Sequence, residues 1–498
     1  MKNKIKIFLP LFASVLMMSS CSKDFLDPEV DQYVTDDRID ELLSSDPAAA
    51  AKLIDASLRG VYTTLIDNGL NGNTSHDFFA QKSIDLASDL NGEDMVQDIH
   101  HHFGFDYNMD NREAGYRRTN LMWAFYYKMI SSSNIILNTY FKEEPTTETL
   151  KISKAKVVGL RGIAYYYLVN LYQKKYKGNE DALGVPLVLS PLDENMPRAK
   201  VREVYDQIIA DLKYSVDNGA YTESDRSDVD KRVAAAYLAK SYAAMEDWPN
   251  VEKYSKIAFD NVTLRNGADM VNNGWGDINT SDWLWGYDIN AQTTTLYASL
   301  YSHLDGTIMG YAGMLGVSKS IHSALYDKIP ATDLRKQLYV DSVAFPLIAQ
   351  KYNFTTSNKY NNVKFANTPS DFSGDYCFIR AEDPLLLYIE SLVEQNKLGQ
   401  ASSELEKFVK TRNTSYTASN FTSQAALREE VRFQRRVELW GEGSSFYDFK
   451  RWDLGVKRIV AGTNHRVKLD FPAGDKIFVY QIPQSEVDAN KNLGGQNP

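Results

Sequence analysis

Apolar residues recur at helical spacing along most of this chain, in segments that open and close on helix punctuation. Between residues 46 and 68, Leu53, Ile54, Leu58, Val61, Tyr62 and Leu65 fall on one stripe. Asp46 can cap that segment, Pro47 suits its first turn and Asn68-Gly69 can end it. Residues 119–140 and 148–176 repeat the pattern, the second through Ala164-Tyr165-Tyr166-Tyr167-Leu168 to a stop before Gly178. Another amphipathic helix is predicted over 200–217. Two tight pairs follow: 228–246 with 249–260, broken at Trp248-Pro249, and 383–396 with 399–412. The last long helix, 422–440, is rich in Glu and Arg. Such segments bury their stripes by packing on one another, so the expected fold is mainly α, a frame of helix pairs.

The helical units do not recur at a strict short period. Residues 261–378 interrupt them with Gly, Asn, Thr and aromatics and only short strand-like runs. Long insertions on a helical scaffold tend to carry function, so the loops 69–118 and 261–378 are where a site is expected. Trp275, Trp283, Trp285 and Tyr287 stand out beside Asp277, Asn279 and Asp282. In a strand, Trp283, Trp285 and Tyr287 would share one face and could stack on sugar rings while nearby Asn and Asp bond the hydroxyls. The competing expectation is that this strand packs its aromatics onto the helices. Tyr297, Tyr301, His303 and Tyr311 follow in a loop.

Net charge is −10 and the pI about 5.4, which argues against nucleic acid as a partner and against a basic face on anionic lipid. A covalent lipid anchor is compatible with that charge. Lys2, Lys4 and Lys6 precede an apolar run, Ile7 to Met18, and Ser19-Ser20-Cys21 follows. This is the layout of an export signal, with residues 1–20 removed. Met18-Ser19-Ser20-Cys21 resembles a lipoprotein processing box, which would make Cys21 the lipidated first residue. Residues 21–45 then read as a tether and 46–498 as one domain. Cys377, the other cysteine, has no partner and sits in Tyr376-Cys377-Phe378-Ile379, which predicts a buried strand.

Further along, Arg435-Arg436-Val437-Glu438-Leu439-Trp440-Gly441-Glu442-Gly443 is followed by Tyr447-Asp448-Phe449-Lys450-Arg451-Trp452. The chain ends with Gln481-Ile482-Pro483-Gln484-Ser485-Glu486-Val487, Asn490 and Gln496-Asn497-Pro498. Leu160-Arg161-Gly162-Ile163-Ala164-Tyr165 with Gly184-Val185-Pro186-Leu187, then Asp333-Leu334-Arg335, then Ile379-Arg380-Ala381-Glu382 agree in order. With these motifs the chain, from Cys21 to Pro498, resembles the SusD/RagB family of nutrient-uptake lipoproteins. It departs from the family pattern at Ser444-Ser445 and Tyr480, which leaves the ligand open.

The resemblance implies a tetratricopeptide-like scaffold of about four helix pairs with long irregular insertions and a few short strands. It implies an exterior-facing lipoprotein of the outer membrane that passes oligosaccharide to a SusC-like TonB-dependent barrel transporter, without catalysis. Peptide capture, as in the RagB branch, and a surface glycosidase are the alternatives. Ligand contacts are expected at Trp275, Trp283, Trp285, Tyr287, Tyr297 and Tyr301.

Catalytic and metal chemistry finds little support in the residues. Glu438 and Glu442 are four apart on a predicted helix and could form a hydrolytic pair, but the neighbouring arginines favour structural ion pairing. His100-His101-His102 cannot converge on one ion without a turn, and no HExxH accompanies them. Asp106, Asn108 and Asp110 imitate the start of a calcium loop, but Asn111 and Arg117 stand where glycine and the closing acid belong. These acids, and the cluster Asp89, Asn91, Glu93 and Asp94, are expected to be solvated. No cofactor is expected.

Overall fold

A computed structural model describes residues 35–497 except 71–72, 98, 223–224, 308–310, 355–358 and 367–370. The export signal, Cys21 and the first part of the tether lie outside the described residues.

The predicted long segments are helices. After α1 (Asp36–Ser45) come α2 (Pro47–Thr63), α3 (Ala80–Leu90), α4 (Gly104–Asn108), α5 (Arg117–Tyr140) and α6 (Glu148–Tyr172). Next are α7 (Val201–Asn218), α8 (Lys231–Met245) and α9 (Trp248–Phe259). Short helices α10 (Gly267–Asn272), α11 (Leu300–Leu304), α12 (Tyr311–Leu315), α13 (Ser323–Lys328) and α14 (Pro346–Lys351) occupy the insertion. The scaffold resumes with α15 (Glu382–Glu394), α16 (Leu398–Lys410) and α17 (Gln424–Glu438), then α18 (Ser445–Arg451) and α19 (Gln484–Ala489). Asp46 caps α2 through the Ala49 amide at 3.0 Å, and Asp247 and Ser423 cap α9 and α17 the same way.

Neighbouring helices pack in sequence: α2 on α5 and α6, then α5 on α6, α6 on α7, α7 on α8 and α8 on α9. Helix α15 stacks on α9 although the whole insertion separates them in sequence, and α16 packs on α15. One core cluster runs from α2 to the C-terminal segment, and a smaller one joins α15, α16 and α17. Among the described residues the strands are short and pair two by two, antiparallel. Those that matter below are Trp283–Tyr287, paired with Tyr376–Arg380, and Leu183–Pro186, paired with Arg198–Lys200.

Three expectations need correction. The end of the tether is helical: Thr35 caps α1 and Ile39 is buried against the neighbouring helices. The loop 69–118 contains α3, whose every residue is buried. It carries Lys82, Asp85 and Asp89 alongside its apolar residues, so no stripe betrayed it, and Lys82 pairs with Asp85 at 2.8 Å. The acids read as solvated are mostly internal. Arg118 clasps Asp106 with two bonds of 2.9 and 3.0 Å, Arg436 clasps Asp94, and Asp89 accepts from the Gly443 amide at 2.8 Å. A carboxylate is retained in a core when such donors replace its water.

Candidate functional site

The motif segments converge on one buried ionic node. Glu438, fully buried at the end of α17, accepts from Arg335 at 3.0 Å, Arg380 at 2.8 Å and Arg412 at 2.9 Å. Glu442 accepts from Arg380 at 2.8 Å and Lys364 at 2.6 Å. Arg435 bridges Asp383 and Asp448. Burial alone would raise the Glu438 carboxyl, but Arg412, Arg380 and Arg335 hold it well below the usual carboxylate range. Both carboxylates are committed to cations, so neither is placed to shuttle a proton for hydrolysis.

This node also fixes the position of Trp275. Lys364, Arg380 and Arg265 lie over its ring at 4.3, 4.8 and 5.2 Å. Trp275 is therefore a buried wall of the ionic centre and offers no surface to a ligand.

The strand Trp283–Tyr287 forms, but its aromatics do not make an exposed face. Irregular pairing on either side of Trp285 breaks the simple alternation, and residues 283–286 are buried. Trp285, 1% exposed, packs on Phe378 at 4.8 Å and donates its indole N–H to the Ser227 carbonyl at 3.2 Å. Trp283 is equally buried, and Tyr287 is half-buried at the strand end. Tyr301 is buried and donates to the carbonyls of Trp275 and Asp375. As ligand contacts Trp275, Trp283, Trp285 and Tyr301 are thus corrected to core residues. The sequence was right about the strand and wrong about which sides of it are covered.

Of the predicted contacts Tyr297 is exposed, at 46%. Its ring lies 5.0 Å from Tyr311 and 5.7 Å from Phe372. His76 continues the group at 6.4 Å from Tyr297 and 6.2 Å from Tyr311, and stacks on His102 at 4.8 Å with an interplanar angle of 5°. Tyr297, Tyr311, His76 and His102 thus form a shelf drawn from both loops in which a site was expected. Its support is His303, fully buried between Phe79 and Phe103 at 5.6 and 5.0 Å. The His303 Nε2–H donates to the His76 carbonyl at 2.6 Å and so ties the two loops together.

Backbone conformation marks the same place. Leu296 and Phe372 adopt φ of 50° and 60°, in the left-handed region that bulky residues rarely enter. They flank or make the Tyr297–Phe372 contact, and Ala80, beside Phe79, has φ 53°. Strain of that kind persists where the surroundings over-determine it, as at binding sites.

Burial disfavours the charged form of the imidazoles of His101, His102 and His303 around the shelf. Burial, then the neighbouring His102, depresses the His101 imidazole to about 4. Burial and His76 lower His102, and burial with Lys319 holds His303 well below the usual range. Neutral imidazoles and phenols present flat faces that donate and accept hydrogen bonds at their edges. Among the described residues no group of three or more His, Cys, Asp or Glu side chains is arranged to hold a metal ion. Sequence reasoning included Tyr297 but did not single out His76, whose position depends on the fold of α3. It weighed His102 only as part of a metal-like triplet.

Two family models match this chain: one described as "starch-binding associating with outer membrane" over residues 25–243, and one for the SusD family over 346–498. SusD-like protein P2 of Formosa agariphila is 24% identical over 424 residues, 76% of this chain and 79% of its own. A SusD-like carbohydrate binding protein of Bacteroides vulgatus has the same fold, with a TM-score of 0.76 at 22% identity, covering 89% of this chain and 97% of its own. A SusD superfamily protein of Bacteroides thetaiotaomicron superposes with a TM-score of 0.74 at 21% identity, covering 90% and 99%.

Proposed function

The chain belongs to the SusD/RagB family, and from that premise we propose that it is a surface lipoprotein that captures oligosaccharide and delivers it to a SusC-like TonB-dependent barrel. Capture rests on the Tyr297–Tyr311–His76–His102 shelf, the observation that carries this reading. Phenol and imidazole faces stack on the apolar faces of sugar rings, and the polar edges of the rings bond hydroxyls. No bond of the cargo needs to break, and Glu438 and Glu442, the carboxylates four residues apart, are ion-paired inside the scaffold.

Affinity electrophoresis through starch, xylan, mannan and pectin gels tests the reading. The wild type is expected to be retarded by at least one of them. Tyr297→Ala should weaken binding about tenfold, the order of one lost aromatic contact. Uniform migration of the wild type in every gel would sink the proposal. New reducing ends on incubation would instead establish the glycosidase alternative, and calorimetric heat with oligopeptides alone the peptide one.

Anchoring is proposed at Cys21, on the pattern of the first twenty-one residues. Expressed with its own signal in a diderm host, the wild type should partition with the outer-membrane fraction. Cys21→Ser should leave that fraction almost entirely, since the acyl chains on Cys21 would be the attachment to the bilayer. Equal partitioning of both would refute lipidation there.

A further inference from the structure

A groove of about 780 Å³ runs along the first half of α5, between the strand end at Pro186, the loop 189–196 and α19. That size lies within the ~300–1,000 Å³ of small-ligand clefts. Its floor includes Trp123 and Tyr127, rings 4.8 Å apart. Trp123 is only 5% exposed and is clamped on its other side by Tyr172 at 4.8 Å, so Tyr127 is the ring that the groove presents. The rim carries the Glu486 carboxylate and the Asn195 side-chain amide.

The walls are held in place. Asp193 accepts from the amides of Leu189 and Ser190 at 2.8 and 2.9 Å. Asn490 and Asn492 donate to the carbonyls of Met196 and Asn195 at 2.9 and 2.8 Å, which locks the loop to the C-terminal segment. Asn195 itself sits at φ 50°, a left-handed conformation that asparagine tolerates. The groove is thus walled by hydrogen-bonded segments, with Tyr127 held in place by its donation to the Pro186 carbonyl at 2.8 Å; pre-organisation of this kind lowers the cost of binding.

The groove adjoins the shelf. Arg117, on the groove's edge, pairs with Asp77, the residue after His76. We propose that the groove is a second saccharide subsite, holding sugars of the same chain whose other residues lie on the Tyr297 shelf. This rests on the saccharide reading of that shelf. Stacking on the partly exposed Tyr127 ring would orient a sugar, and Asn195 and Glu486 would donate to and accept from its hydroxyls.

Isothermal titration of the intact protein with oligosaccharides, from disaccharide to octasaccharide, of the polysaccharide that retards it best provides the test. Wild-type affinity should rise with length. The double variant Asn195→Ala/Glu486→Ala, both at the rim and clear of the core, should bind short chains as the wild type does. It should lose about tenfold for the longest, the order of two hydrogen bonds. Tyr127→Leu, which removes the ring and keeps the floor apolar, should reproduce part of that loss. Tyr297→Ala should weaken every length. Unchanged affinity of the double variant at all lengths would overturn the second subsite and leave the shelf reading standing. A wild type that binds no length would overturn both.

Discussion

Glu438→Gln is expected to destabilise the protein by about 3–5 kcal/mol, the usual consequence of removing one partner from a buried ionic cluster. Three guanidinium groups, Arg335, Arg380 and Arg412, lose their shared counter-charge, and the new amide turns an N–H toward them. A urea midpoint shift at neutral pH measures the effect. Its pH dependence has a definite sign. The folded carboxyl is held below its unfolded value, so its stabilisation is complete above the unfolded value and lost as pH falls through the folded one. The gap between wild type and variant should therefore narrow on acidification. Glu429→Gln is the control: its pair with Arg432 is at the surface, with Glu429 71% exposed, and should matter by less than about 1 kcal/mol. Equal shifts for the two variants would show that the node is not what secures the insertion.

That node explains why the scaffold was legible in the sequence. The separate motifs Asp333-Leu334-Arg335, Ile379-Arg380-Ala381-Glu382 and Arg435 to Gly443 look unrelated along the chain, yet they supply adjacent members of one ion-pair network. The closing residues behave alike. Gln496 exchanges two hydrogen bonds with the Ile482 backbone, and Asn497 donates to the carbonyls of Tyr172 and Tyr480. Long helices were readable for a simpler reason. Each of α2, α7, α9 and α17 buries one stripe and exposes another, so burial imprints a period on its residues. α3 is enclosed on all sides, with Lys82 paired to Asp85 and Asp89 bonded by the Gly443 and Ser445 amides, so no period survives to be read.

The site was legible as a region and misread as residues. Clustered tryptophans are equally the mark of a sugar platform and of a large core, and composition cannot separate the two. Only the third dimension shows that residues 283–286 are buried, with the strand edge paired to Tyr376–Arg380 and the Trp285 ring packed against Tyr237 and Phe378. The shelf, conversely, joins residues more than two hundred positions apart. His76 and Tyr297 meet because His303 bonds the His76 backbone, a contact without a local signature.

Trp285→Ala should expose that difference as a separation of effects. Its side chain is fully buried and bonded to Ser227, so truncation leaves a cavity between Phe378 and Tyr237 and should cost about 3–5 kcal/mol. Glycan affinity per folded molecule should stay at the wild-type level, because the ring meets no solvent from which a sugar could approach. Tyr311→Ala should do the reverse. Its ring is only partly covered, so stability should change by no more than about 1 kcal/mol. Binding should fall several-fold as one face of the shelf disappears. Thermal unfolding and gel retardation on the two purified variants read both quantities independently. Lost binding by a fully folded Trp285→Ala would return the tryptophan strand to the ligand, and full binding by Tyr311→Ala would take the shelf away from it.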